Sequence, residues 1–131
     1  FDKSHIDMAL RLVRKGYIKP PLHFNFVLGV NGGATGTPRD LLFMKESIPK
    51  GSTFTVSGIG RCQLEMNVMA MLIGGHVRLG LEDNLKYNRE RIGVSNAEFV
   101  ERIVRIAKEL NNEIATPAEA RQILGLPERV K

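Results

Sequence analysis

One cysteine, Cys62, stands in 131 residues, which rules out a disulfide framework and makes a reducing cytoplasm the expected setting. Long hydrophobic runs are missing as well. FVLGV and MAMLIGG are the longest apolar stretches, far short of the roughly 20 residues of a membrane helix, so no membrane partner is expected. Aromatic residues make up only 6% and form no stacking cluster of the kind RNA-binding sheets use. The 19 basic residues exceed the 14 acidic ones by five. They are scattered through LRLVRKGYIK, NRERIG and VERIVRIAKEL among Glu and Asp. This spread argues against nucleic acid and leaves an anionic small molecule open. No initiator Met, signal peptide or transit peptide is seen, and Phe1-Asp2-Lys3-Ser4 runs directly into a helical pattern, as an internal start would.

The hydrophobic fraction of 43% suffices for a core, and its periodicity shows how that core is built. Ile6, Ala9, Leu10 and Val13 share a helix face that Ser4 would cap and Gly16 would end. After Pro20-Pro21, His23–Val30 reads as a strand, NGGATGTP as its loop, and Pro38 as the first residue of a helix through Leu41, Leu42, Met44 and Lys45. The cycle repeats with a strand Thr53–Ser57, a Gly58-Ile59-Gly60 loop and a helix Cys62–Leu72. A third strand, His76–Leu81, runs into Glu82-Asp83-Asn84. Ser95 then caps a helix Ala97–Leu110 with Phe99, Ile103, Ile106 and Leu110 inside, and Thr116, Pro117 and Glu119 form a capping box for a short last helix. No linker interrupts residues 1–131, which read as one unit of α/β class, with parallel strands joined by right-handed crossovers.

Alternation splits the strands into two faces. Phe24, Phe26, Leu28, Phe54, Val56, Val77, Leu79 and Leu81 fall on one. The other takes His23, Asn25, Thr53, Thr55, Ser57, Arg78, Gly80 and Glu82. Buried polar groups need partners, and in parallel α/β folds sites gather at the carboxyl ends of the strands. Here those ends are VNGGATG, SGIGR and GLEDN. NGGATG lacks the GK[ST] ending of a P-loop and reads first as a turn, although its glycines can bring N–H groups close to an anion. Cys62 sits at a helix start, where a thiol's pKa can fall, but nothing marks it as a nucleophile, and Met66, Met69 and Met71 read as core filling.

HFNFVLGVNGG, SGIGRCQ, GGHVRLGLEDN and ATPAEARQILGL resemble, in order and spacing, the C-terminal half of the β-keto acid cleavage enzymes, whose founding activity is 3-keto-5-aminohexanoate cleavage. The resemblance implies the C-terminal half of a (β/α)8 TIM barrel, in a homo-oligomer, that converts a β-keto acid and acetyl-CoA to acetoacetate and a new acyl-CoA. It also implies one divalent metal, usually zinc, held by two histidines of an HxH motif on an early strand and by a glutamate on the last strand. Glu82 takes the glutamate's place, and Arg78 with Asp83 takes that of the pair that removes a proton. The HxH motif is absent, because His5, His23 and His76 stand apart. The chain alone is therefore expected to bind zinc weakly and to be inactive, since a catalytic zinc normally has three protein ligands. Without the resemblance, Glu82 would read as a solvated strand-end carboxylate, Arg78 as half of a structural ion pair and Asp83 as a turn residue. Two other readings remain: another metal-dependent aldolase-type barrel, and a non-catalytic folded or oligomerising module.

Overall fold

A computed structural model describes residues 1–127, leaving the final four residues of the expected unit outside the described region. The elements are α1 (Lys3–Arg14), β1 (His23–Leu28), α2 (Pro38–Glu46), β2 (Thr53–Gly58), a 3-10 turn (Gly60–Cys62), α3 (Gln63–Leu72), β3 (His76–Arg78), α4 (Asn96–Glu109) and α5 (Pro117–Ile123). The three strands form a parallel sheet in the order β1-β2-β3. This is the expected βα arrangement. Among the described residues, β1 and β3 each have one strand neighbour, so both outer edges are open.

The two faces follow the expected alternation. Registered rows place Asn25, Thr55 and His76 together, then Val27, Ser57 and Arg78, on the polar side. On the opposite side Phe26, Leu28, Phe54 and Val56 pack with Ile6 of α1, Leu41 and Met44 of α2, and Met66 and Ala70 of α3. Phe26 and Phe54 stack with ring centroids 5.4 Å apart. Burying each such large side chain contributes about 1.5–3 kcal/mol, so this layer fixes the register that aligns the polar face. α4 buries Phe99, Ile103 and Ala107. Ile106 and Leu110, expected inside, are only half-buried.

Three local readings are corrected. The α1 cap is Asp2, whose Oδ1 accepts from the Ser4 N–H at 2.8 Å and from the Ser4 hydroxyl at 2.6 Å. An ionised carboxylate accepts more strongly than a hydroxyl and suits the helix N-terminus. β1 stops at Leu28 rather than Val30, because Gly29 turns to φ +88°. β3 stops at Arg78, three residues before Leu81, so Leu79, Gly80, Leu81 and Glu82 lie outside the strand and its alternation does not orient them. The physical reason lies in the turn that follows. Gly80 has φ +148°, the Asp83 and Asn84 N–H groups fold back onto its carbonyl at 3.2 and 3.1 Å, and the Leu81 N–H is taken by Asn96 Oδ1 at 2.8 Å.

At the amino end of the polar face, α5 lines a hollow beside the strands. Ala120 and Ile123 of α5 meet His23, Thr55 and His76 around a hollow of about 210 Å³. The Thr116–Glu119 capping box that starts α5 is formed as expected. Among the described residues, no helix is long and apolar enough to cross a membrane.

Candidate functional site

At the carboxyl end of β3 the turn does what strand alternation could not: it brings both carboxylates to one guanidinium. Arg78 Nη2 lies 3.1 Å from Glu82 Oε2 and 3.1 Å from Asp83 Oδ1. The two acids differ sharply in environment. The Asp83 side chain is 7% exposed and that of Glu82 86%, with Arg78 between them at 41%. Burial pushes the Asp83 carboxyl above its ordinary value, the Arg78 charge pulls it back down, and the Glu82 charge adds to the rise. A buried carboxylate held against a cation and a solvent-facing carboxylate on the same nitrogen are two chemically distinct groups.

The turn is fixed from outside itself. Gln63, buried at the start of α3, donates from Nε2 to the Gly80 carbonyl at 3.2 Å. The Gly60 N–H donates to the Asp83 carbonyl at 2.7 Å. Asn96, the first residue of α4, holds Leu81 from the other side. Asn67, with its amide nitrogen toward the sheet, donates to the carbonyls of Val56 at 3.1 Å and Arg78 at 3.3 Å. Its buried amide thereby locks the end of β3 to β2. Sequence reasoning misses Gln63, Asn67 and Asn96 as site residues. The only sequence signal was the position of Gln63 inside SGIGRCQ. Gly80 also leaves room for Asn96: a Cβ there would lie 2.9 Å from Asn96 Oδ1.

Other polar residues of the strands are satisfied within the fold. His23 bonds Thr53 Oγ1 through Nδ1 at 2.8 Å and Thr55 Oγ1 through Nε2 at 3.0 Å. Burial lowers its pKa below the ordinary 6.5, and the nearby His76 lowers it further. The buried Ser57 donates to Asn25 Oδ1 at 3.0 Å. In the NGGATG loop the N–H groups of Gly33, Ala34 and Thr35 donate to the Val30 carbonyl, the Phe1 carbonyl and Asp40 Oδ2. Those three donors favour the turn reading over an anion cradle. Cys62 donates to the Ile59 carbonyl at 3.1 Å and is buried against Gly36, where a Cβ would collide with its sulfur. Burial pushes its thiol up, away from the thiolate a nucleophile needs.

For a metal, the described residues present one suitable carboxylate at this end, Glu82, with Oε2 on Arg78 and the group otherwise facing solvent. No group of three His, Cys, Asp or Glu that could hold an ion occurs among the described residues. The arrangement fits one ligand contributed to a shared centre and does not fit a complete centre.

Comparison with known proteins gives the family. The family model for beta-keto acid cleavage enzyme matches residues 1–126. The chain is 57% identical over 126 residues to the 3-keto-5-aminohexanoate cleavage enzyme of Acetoanaerobium sticklandii, covering 96% of this chain and 46% of that protein. It is 56% identical, with the same coverage, to the protein of the same name from Fusobacterium nucleatum subsp. nucleatum. It is 35% identical to the 3-oxoadipate:acetyl-CoA acetyltransferase of Cupriavidus necator, covering 97% of this chain and 46% of that protein. The chain thus spans about half the length of the curated relatives it matches. With its motifs, its parallel βα units and a family match over nearly all its residues, this chain belongs to the β-keto acid cleavage enzyme family.

Proposed function

We propose that this chain supplies the last-strand side of the active site in a metal-dependent (β/α)8 enzyme that converts a β-keto acid and acetyl-CoA to acetoacetate and a new acyl-CoA. The observation that carries this is the shared guanidinium: Arg78 Nη2 stands 3.1 Å from a buried Asp83 and 3.1 Å from an exposed Glu82. Asp83 is the base that takes a proton from the carbon between the keto and carboxyl groups. Arg78 keeps that base oriented and offsets the negative charge that develops on the substrate. The carbanion attacks the acetyl thioester and releases CoA thiolate. The thiolate then adds to the original keto carbon, the carbon–carbon bond breaks, and acetoacetate leaves as its enolate, recovering the proton from Asp83.

Glu82 is this chain's ligand to a zinc ion, and two histidines outside the chain complete the set. When bound, the metal polarises the keto acid's oxygens. With one of three ligands, the isolated chain is inactive and holds zinc weakly. The open edges of β1 and β3 support the barrel reading, since unpaired strand edges need partners from further chain or another copy. Homo-oligomerisation follows the same logic. The buried thiol of Cys62 fits a cytoplasmic protein.

The names of the two relatives above 50% identity make 3-keto-5-aminohexanoate the first substrate to try. Full-length protein carrying this chain, supplied with zinc, that acid and acetyl-CoA, is expected to form acetoacetate and consume the thioester in equal amounts. Acid consumption that does not depend on acetyl-CoA would overturn this reading and favour another aldolase-type reaction.

A further inference from the structure

A cleft of about 760 Å³ opens beside the turn, between the segment that follows β2 and the loop that follows β3. Arg61 lines it from the first, Lys86 and Arg89 from the second, and Arg102 from α4. Among the described residues, Glu65 is the only acidic one in its lining. Arg102 is held in place: it donates to the Tyr87 carbonyl, and its guanidinium carbon lies 4.4 Å from the centroid of the Tyr87 ring. Among the described residues, Arg61, Lys86 and Arg89 belong to no ion pair. The cations come from three separate segments, and folding concentrates them. A concave wall of one sign focuses its field and draws in anions.

The cleft adjoins the reacting groups without containing them. Gln63, which holds the Gly80 carbonyl, lines it, and so does Asn84, the residue after Asp83. A ligand seated there would therefore be one with a multiply charged anionic end and a reactive end a short way off. We infer that this cleft binds the phosphorylated nucleotide end of the acyl-CoA co-substrate, an inference that rests on the acetyl-CoA reaction proposed above. Guanidinium forks match phosphate oxygens in geometry as well as charge. Seating the diphosphate and 3′-phosphate between Arg61, Lys86 and Arg89 leaves the pantetheine arm free to run toward Arg78 and Asp83.

The test uses the full-length protein and compares wild type with the combined variant Arg61→Ala, Lys86→Ala and Arg89→Ala. The KM for acetyl-CoA is expected to rise about tenfold or more, while the KM for the keto acid stays within about twofold, since only one substrate loses a binding partner. Glu65→Gln, which removes the opposing charge, should lower the acetyl-CoA KM. Adenosine 3′,5′-bisphosphate should compete with acetyl-CoA in the wild type, and inorganic phosphate at equal concentration should not. If the combined variant does not fold, as judged by circular dichroism, Arg89→Ala and Glu65→Gln give the same comparison through shifts of opposite sign. An unchanged acetyl-CoA KM in these variants, with normal wild-type turnover, would overturn the inference and leave the reaction standing. Equal competition by inorganic phosphate would overturn the nucleotide assignment. A wild type whose rate does not depend on acetyl-CoA would overturn the reaction itself, and the inference with it.

Discussion

At the amino end of the sheet's polar face His23 bonds both Thr53 and Thr55 beside a hollow that α5 helps to line, whereas at the carboxyl end one guanidinium holds two carboxylates, one buried and one in the open. Both ends carry residues that alternation places on the polar side. They differ in what is left unspent. Each ring nitrogen of His23 has a hydroxyl partner, so that imidazole is already engaged. At Arg78 there are two anions to one cation, and Glu82 still faces solvent. Excess charge held in fixed geometry, rather than polarity alone, separates a site from a satisfied polar row.

The sharpest way to break this contrast is to remove the cation. In the full-length protein Arg78→Ala is expected to lower activity about a hundredfold or more, the usual scale for losing part of an acid/base pair. Bound metal, read by elemental analysis, should stay. Metal lost in proportion to activity would mean that Arg78 organises Glu82 rather than the proton transfer. A smaller effect is expected from Gly80→Ala, which places a Cβ 2.9 Å from Asn96 Oδ1 at φ +148°. The strain, on the order of 1–3 kcal/mol, should lower the melting temperature and cut kcat roughly tenfold as the turn shifts. An unaltered kcat would show that the turn need not be held so tightly.

How far these differences could be read beforehand depends on whether their causes are local. The two faces, the parallel order and the caps at Ser95 and Thr116 were legible, because period-two alternation and capping side chains act over a few residues. The early end of β3 was not, since Leu81 loses its N–H to Asn96, fifteen positions on. The grouping of Arg78, Glu82 and Asp83 was legible through the motif GGHVRLGLEDN. Its geometry was not: parity aimed Glu82 inward along a strand, while the chain bends at Gly80 and leaves Asp83 as the buried acid. The basic cleft was illegible for the same reason, because Arg61, Lys86 and Arg102 meet only in the fold.

The amino end offers the smallest effect, and one of a different kind. His23→Gln should leave turnover within about twofold, since the residue lies away from the reacting groups. Its signature is pH. Because the folded chain holds His23 below the ordinary 6.5, the unfolded chain takes up the proton first as pH falls. Stability is then flat above about 6.5 and declines below it, down to the folded value. Urea melts between about pH 8 and pH 5 should show that decline in the wild type and a shallower one in His23→Gln. A steep loss of activity in this variant would erase the contrast between the two ends.

The division of labour on the shared guanidinium is tested most directly by measuring bound zinc and turnover side by side in Glu82→Gln and Asp83→Asn of the full-length protein. Glu82→Gln is expected to lose metal and activity together, because a neutral amide is a poorer partner for a divalent cation. Asp83→Asn is expected to keep its zinc while turnover drops by about a hundredfold or more. Near-normal turnover of Asp83→Asn with zinc in place, or full zinc occupancy in Glu82→Gln, would contradict the assignment of base and ligand to these two acids.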